Sequence, residues 1–415
     1  MTEKRVVVTG VATINPLGND VDTSWDNLIA GKSGIGPITQ FDASEFTSRI
    51  AGEVKDFIAA DHIPPKQARR MDRFVQFAVA CAQQLMANSE YEITEENAKR
   101  VGVMLGVGLG GLNTIETFHS KLTSAGPNKI SPFWIPMLIS NMAPGQVSIF
   151  TGAKGANLVF TSACASGTHA IGHAFEDIRS GRCDAVITGG TESTITPMGV
   201  SGFTALKALC SNRNDEPTNA SRPFDKERSG FIVGEGAGLL LLESYDSAKA
   251  RGAKIYAEVV GFGSTSDAFH MTAPREDSEG MAQSMIDAIE EAGISTDAVD
   301  CINAHGTSTS LNDKAETGAM KKVFGDHAYK LRISANKSQT GHLLGAAGGM
   351  EGVFSCLTLD KGLVPGTANQ VSPDPECDLN YMGNGSEKYQ AEYVLSNNFG
   401  FGGTNASVLF KRFDG

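Results

Sequence analysis

Asn157-Leu158-Val159-Phe160-Thr161-Ser162-Ala163-Cys164-Ala165-Ser166-Gly167 is a short apolar run followed by a turn of small residues, and Ile171, Ala174, Phe175 and Ile178 then recur at helical spacing. Asn157 to Phe160 reads as a buried strand and Thr168 to Ile178 as a helix. Cys164 therefore falls on a strand-to-helix turn, mechanically akin to the nucleophile elbow of hydrolases but without their Gly-x-Ser-x-Gly signature. At a helix N-terminus the unpaired N–H groups and the dipole favour a thiolate, and one amide is placed to donate to an oxyanion. These features predict an activated sulfur; the competing assignment is a buried structural cysteine. No Asp or Glu occurs between Glu116 and Glu176. Carboxylates near a thiolate raise its pKa, so the gap suits the activated sulfur, although an apolar core and dimer surface would produce it too.

Working outward, the strand–turn–helix unit recurs. Met71 to Ser89 reads as a helix followed by a strand, Val101 to Leu105, that ends in glycines; Gly280 to Ala292 reads as a helix followed by Cys301 to Ala304, which ends in His305-Gly306. A second strand, a turn and a helix come after each, over Leu158 to Ile178 and over Arg332 to Leu357. Short apolar strands such as Ala185 to Thr188, Gly238 to Leu242 and Ala257 to Val260 alternate with helices throughout. The prediction is an α/β fold of two pseudo-duplicated halves, residues 1–252 and 253–415, with the site where they meet.

Composition narrows the function. The 415 residues carry a net charge of −12, which argues against nucleic acid as a partner. The seven cysteines are scattered, with no C-x-x-C pair and no zinc spacing, so a reducing, cytoplasmic location is expected and no metal. The N-terminus enters a strand at once without a signal-peptide core, and no apolar run approaches the roughly eighteen residues of a membrane span.

Gly106-Val107-Gly108-Leu109-Gly110-Gly111 follows a strand and fits G-x-G-x-x-G, the dinucleotide fingerprint. The acidic residue that would hold the ribose about twenty positions on is missing. Nucleotide binding is not expected.

Two of the eight histidines stand outside ordinary core contexts. His305 lies past a strand end in Asn303-Ala304-His305-Gly306-Thr307-Ser308-Thr309, and His342 at a turn entering the helix that follows. By the repeat, both turns share the sheet edge of Cys164. His62, His119, His169, His173, His270 and His327 are expected to be packing residues. Lys337 and Glu351 are expected to form a buried ion pair that orients His342. Near the C-terminus, Asn397-Asn398-Phe399-Gly400-Phe401-Gly402-Gly403-Thr404-Asn405 is a glycine-dense loop that lets a backbone N–H approach a ligand, with Phe401 as a hydrophobic gate; a β-bulge turn with packed aromatics fits the same residues.

Together the Cys164 turn, Ala304-His305-Gly306-Thr307-Ser308-Thr309, Lys337-Ser338 with Gly341-His342-Leu343-Leu344-Gly345-Ala346-Ala347-Gly348, and Phe399-Gly400-Phe401-Gly402-Gly403-Thr404-Asn405 resemble the β-ketoacyl-acyl carrier protein synthases, nearest to the elongating type II members. The similarity runs from Val6 to Phe410. It implies a thiolase-like fold of five layers, α-β-α-β-α, and a homodimer. It also implies a decarboxylative condensation of malonyl carrier protein with an acyl group on Cys164, with no cofactor beyond the carrier's phosphopantetheine. Cys164 and Phe401 would supply oxyanion amides, His305 and His342 would donate to the enolate, and Lys337 and Glu351 would support the site. Thr307, Thr309 and Thr272 would meet the phosphopantetheine arm, and Leu109, Phe203 and Phe399 the acyl chain. Lys66, Arg69 and Arg70, with Lys129 and Lys207, would dock the acidic carrier. Ser310 and Ala335-Asn336 depart from the commoner Pro and Ser-Thr.

The rival assignments are weaker. Degradative thiolases carry a second catalytic cysteine near the C-terminus, whereas no cysteine follows Cys377; initiating synthases of the third type have Asn where His342 stands. A type I synthase, a polyketide ketosynthase and a non-catalytic chain-length partner share the fold, and the last typically lacks the thiol.

Overall fold

In the computed structural model, which describes residues 3–383 and 385–415, runs of apolar and small residues form ten main strands, most of them largely buried. The first half contributes β1 (Val6–Ile14), β2 (Val101–Gly106), β3 (Asn157–Phe160), β4 (Ala185–Glu192) and β5 (Gly236–Ser244). The second contributes β6 (Ala257–Ser266), β7 (Cys301–Asn303), β8 (Arg332–Ser334), β9 (Tyr393–Gly400) and β10 (Thr404–Lys411). β1, β2, β4 and β5 are buried at every position, as strands covered on both faces must be.

The strands lie in the order β8-β7-β9-β10-β6-β1-β5-β4-β2-β3. Counted outward from the centre, each half follows the same rule: first strand, fifth, fourth, second, third. The senses of pairing repeat as well. β2 runs parallel to β3 and β4, as β7 does to β8 and β9, while the inner pairings of both halves are antiparallel. The halves join where Val6–Val8 pairs with Ala257–Val259. The duplication expected from the sequence is thus present in the topology.

Helices complete five layers. α1 (Arg73–Ser89) covers β1, β4 and β5 from outside, and α3 (Glu279–Glu291), backed by α4 (Ser310–Phe324), covers β6 and β10. Between the half-sheets run α2 (Ser166–Arg179) and α5 (Ala347–Lys361), each touching strands of both. α5 is buried continuously from Ala347 to Leu359, as a helix with sheets on two sides must be. Glycine permits the close approach: a Cβ on Gly349 would lie 2.2 Å from the Gly238 carbonyl and 2.4 Å from the Gly190 nitrogen.

One strand differs from expectation. β3 is not buried: Asn157 and Leu158 are exposed, because among the described residues β3 pairs with β2 alone and forms the open end of the sheet. Its apolar run is a property of that edge rather than of the core.

Candidate active site

Both central helices begin at one place. Between β3 and α2 the chain makes a single turn over Ala163–Ala165, with Ala163 in the left-handed region at φ 51°. Ser166 Oγ accepts the Ser162 N–H at 2.9 Å and donates to the Ala163 carbonyl at 2.6 Å, closing the turn on itself. Cys164 stands at its apex, 8% exposed. Burial pushes its thiol up to about 12; the Lys337 cation and the Phe401 N–H pull down, while Glu192 and Glu351 push up. This corrects the expectation of a carboxylate-free surrounding. The acid-free window is real in sequence, but Glu192 from the end of β4 and Glu351 from α5 reach the same neighbourhood. Lys337 and the Phe401 amide are what favour the anion.

His305 lies beyond β7. Its N–H and that of Gly306 each donate to an oxygen of Glu316 at 2.8 Å, which pins the backbone of the turn to α4. Its Nδ1 faces two donors, Lys337 Nζ at 3.4 Å and Asn398 Nδ2 at 3.2 Å. His342 lies between β8 and α5, and its Nδ1 accepts the Leu344 N–H at 3.2 Å. In each ring the acceptor role of Nδ1 assigns the proton to Nε2. Burial, then the Lys337 charge, holds both imidazoles well below their usual pKa, with His342 adding to the effect on His305. They are neutral donors. The rings stand 5.3 Å apart at 84°, and His342 Nε2 is buried with no partner among the described residues. A ring nitrogen of each histidine and the Cys164 sulfur all lie within 4.8 Å of one another.

Cys, His and His are zinc-type ligands. The hydrogen bonding argues against that use: a ring nitrogen must be deprotonated to bind metal, yet moving either proton to Nδ1 would set it against Lys337, Asn398 or the Leu344 amide. The ammonium of Lys337 repels a second cation as well. The donor set does not fit a metal.

The expected Lys337–Glu351 pair is present, with Lys337 1% exposed and Glu351 fully buried. It serves the other histidine, however. Lys337 Nζ donates to the His305 carbonyl at 2.7 Å, and Asn398 bridges Glu351 Oε2 at 2.8 Å to His305 Nδ1. Among the described residues neither Lys337 nor Glu351 is hydrogen-bonded to the His342 ring, which feels the pair only through the Lys337 charge; α5 carries Glu351 toward Asn398 on β9.

A cavity of about 330 Å³ opens over the three groups. Thr307, Thr309, Thr272, Phe203, Phe399 and Phe401 line it, and so does Lys207, which the resemblance assigns to the docking surface. The Thr307 and Thr309 hydroxyls are 2.9 Å apart, and Thr309 also caps α4. Phe401 rides on the β9–β10 hairpin, not on a bulge, and left-handed Gly402 (φ 86°) and Gly403 (φ 70°) turn it. The hairpin presses so close that a Cβ on Gly400 would lie 3.1 Å from the Cys164 nitrogen. Leu109 does not line this cavity and is 53% exposed on the single chain. Lys66, Arg69, Arg70 and Lys129 are exposed and lie off the cavity wall. The Arg70 guanidinium stacks 4.1 Å from the centre of Phe133, joining two of these segments.

Three residues of the site escaped the sequence reading. Asn398 had a signal, the doubled asparagine before the glycine loop. Glu316 had none, since an acid in mid-helix looks like a solvated face. Glu192 was hidden behind the G-x-G-x-x-G motif: the amides of Gly108, Leu109 and Gly110 do bind an anion, and it is the Glu192 carboxylate. His270 accepts the Thr272 and Ala273 amides at 3.1 and 3.0 Å, shaping the loop that brings Thr272 to the cavity.

The model of the β-ketoacyl synthase N-terminal domain matches residues 3–248, and that of the C-terminal domain residues 256–371. The chain belongs to the β-ketoacyl synthase family. This ketoacyl synthase is 48% identical over 411 residues to 3-oxoacyl-[acyl-carrier-protein] synthase 2 of Staphylococcus aureus (strain COL), covering 99% of each. It is likewise 48% identical over 413 residues to the Synechocystis protein of the same name, covering 100% of this chain and 99% of the relative. A β-ketoacyl synthase structure from Burkholderia phymatum STM815 superposes with a TM-score of 0.92 at 37% identity, covering 99% of this chain and 100% of the other. So does a chain from a complex of a type II PKS acyl-carrier protein with its ketosynthase bound to the hexaketide, at 0.92 and 33% over the whole of both chains.

Proposed function

We propose that the protein is an elongating β-ketoacyl-[acyl-carrier-protein] synthase of the second type. The observation that carries this is one buried thiol meeting two neutral imidazoles, both with Nε2–H, at the floor of one cavity. The first step is transfer of an acyl group. The Cys164 sulfur bonds to the thioester carbon, the bond to the carrier's sulfur breaks, and the thiol proton ends on the departing carrier thiol. The Cys164 and Phe401 amides stabilise the tetrahedral oxyanion. In the second step malonyl carrier protein loses carbon dioxide, and the electron pair of the broken carbon–carbon bond becomes an enolate. Its oxygen accepts from His305 and His342, which can donate because both are uncharged. The enolate carbon attacks the acyl thioester, the Cys164 sulfur leaves and takes up one proton, and the product is a 3-oxoacyl chain two carbons longer. The substrate's carboxylate supplies the driving force.

Within this reading the nucleophile belongs to the half spanning residues 1–252 and both imidazoles to residues 253–415. Thr272, Thr307 and Thr309 meet the phosphopantetheine arm, and Phe203, Phe399 and Phe401 the acyl chain. Lys66, Arg69, Arg70, Lys129 and Lys207 receive the carrier. We assign a homodimer through the β3 end of the sheet. Leu158 (47%), Ile149 (69%), Ile135 (50%) and Leu122 (44%) leave an apolar surface along the stretch that holds the unpaired strand edge, and Leu109 sits on the same stretch. Among the described residues no helix is long and apolar enough to cross a membrane, and all seven cysteines are free, which supports a cytoplasmic setting.

The test is to incubate purified protein with malonyl carrier protein and a ladder of acyl carriers, following carbon dioxide and products by mass. Products two carbons longer from the native protein, and none from Cys164→Ala, are expected; no condensation with any acyl carrier overturns the assignment.

A further inference from the structure

The glycine-rich stretch after β2 takes no part in the steps above, yet it binds an anion. Glu192, the last residue of β4, is fully buried. Its Oε2 accepts the N–H groups of Gly108 at 2.7 Å, Leu109 at 3.1 Å and Gly345 at 3.3 Å, and its Oε1 that of Gly110 at 3.1 Å. Three successive amides converging on one carboxylate form a nest of the kind that elsewhere holds phosphate. The fourth comes from the other half of the chain, from the turn that carries His342. No side chain is tolerated at the junction: a Cβ on Gly108 would lie 2.5 Å from Glu192 Oε2, and one on Gly345 2.2 Å from the Gly108 nitrogen.

The clasp lies behind the reacting groups. On one side, a Cβ on Gly108 would stand 3.6 Å from the carbonyl of Ala163, the neighbour of Cys164. On the other, Gly345 directly follows Leu344, whose N–H holds His342 Nδ1. Among the described residues no cation pairs with Glu192, so burial pushes it up to about 7 against the pull of its four amides. A carboxylate that costly to bury has to be explained by what it holds.

We propose that Glu192 is a positioning residue for decarboxylation: by tying Gly345 to the Gly108–Gly110 loop, it fixes the turn from which His342 presents its Nε2–H to the enolate oxygen. This rests on the ketosynthase reading. The acyl-transfer step uses the Cys164 and Phe401 amides, neither of which donates to Glu192, and losing the Glu192 charge only eases ionisation of the Cys164 thiol, so the two half-reactions separate the roles.

The experiment compares Glu192→Gln and Glu192→Ala with the native enzyme. Transfer of a labelled acyl group to Cys164 is measured in a single turnover, and carbon dioxide release from malonyl carrier protein by the acylated enzyme at steady state. Gln offers one acceptor where the amides need two and turns an N–H₂ against the rest. Carbon dioxide release should fall about 10-fold in kcat for Gln and about 100-fold for Ala, with KM for malonyl carrier within about twofold and acyl transfer slowed no more than about threefold. Equal loss in both half-reactions, or unchanged carbon dioxide release, overturns the proposal. Should the Ala variant not fold, the Gln variant decides alone. Native enzyme that releases no carbon dioxide refutes instead the ketosynthase reading beneath it.

Discussion

Replacing Lys337 by Met tests the polar centre of the site most severely. The ammonium is 1% exposed and holds three things: the Glu351 carboxylate, the His305 carbonyl at 2.7 Å and the face of His305 Nδ1 at 3.4 Å. Met fills much the same volume but leaves Glu351 with one remaining donor, Asn398 at 2.8 Å. Removing one partner of a buried ion pair costs about 3–5 kcal/mol, because the other charge stays desolvated. Removing both is far cheaper, so Lys337→Met/Glu351→Met should regain at least half of that loss. The sign with pH follows. Burial already holds the Glu351 pKa above its usual value against the pull of Lys337, and without Lys337 it rises further. A carboxyl raised in the folded state keeps its proton while the unfolded chain ionises, so stability falls as pH rises from the unfolded value of about 4.3 toward the folded one. The deficit of the single variant should therefore be larger at pH 8 than at pH 5. Denaturant unfolding at the two pH values, with the double variant alongside, measures all of this. A single-variant loss under about 1 kcal/mol, or a double variant no better than the single, would show that the pair is not the electrostatic centre described.

His305→Ala should retain acyl transfer to Cys164 but lose carbon dioxide release by about 100-fold or more, since half of the enolate's donors go with it; intact condensation contradicts its role. Iodoacetamide should modify Cys164 alone among the seven buried cysteines of the folded protein, with a rate still climbing about tenfold per pH unit between 7 and 9, because burial keeps the thiol protonated there. A plateau below pH 8 would mean that the α2 N-terminus outweighs burial. Charge reversal of Arg69 and Arg70 to Glu should raise KM for carrier-bound substrates several-fold, with little change in kcat and a weaker dependence on salt; unchanged kinetics remove these residues from the docking surface.

The order of elements was legible because each half alternates buried strands with amphipathic helices, and the same chemistry-bearing turns follow the same strands. What sequence alone missed was depth. β3 and β5 both read as apolar runs, yet one is an open edge and the other is covered on both faces, and only strand order distinguishes them. Lys337 and Glu351 do pair, and the Lys337 charge reaches His342, but the hydrogen bonds that orient a ring go to His305. The paired residues stand fourteen residues apart along the chain, and nothing local reveals that α5 turns Glu351 toward Asn398 and His305. The acids near the thiol were missed for a similar reason. A gap in acidic residues along the chain says nothing about acids that arrive from other strands, and Glu192 and Glu351 both do.

The duplication itself accounts for the division of labour. In each half the third strand feeds a central helix, and those two turns carry Cys164 and His342. In each half the second strand ends in a loop, and those two loops carry Gly108–Gly110 and His305. Each loop has its backbone amides gathered by one fully buried carboxylate, Glu192 for the first and Glu316 for the second, and burial pushes both up to about 7. The halves have diverged in chemistry and reach this device from different elements, Glu192 at the end of β4 and Glu316 within α4: one loop presents an imidazole, and the other presents only its backbone to the opposing half. A buried acid that grips backbone amides fixes a loop without spending a side chain inside the cavity. That leaves the cavity floor to the three groups that handle the acyl chain and the enolate, and it explains why the residues that hold them are acids which no linear pattern in the chain announces.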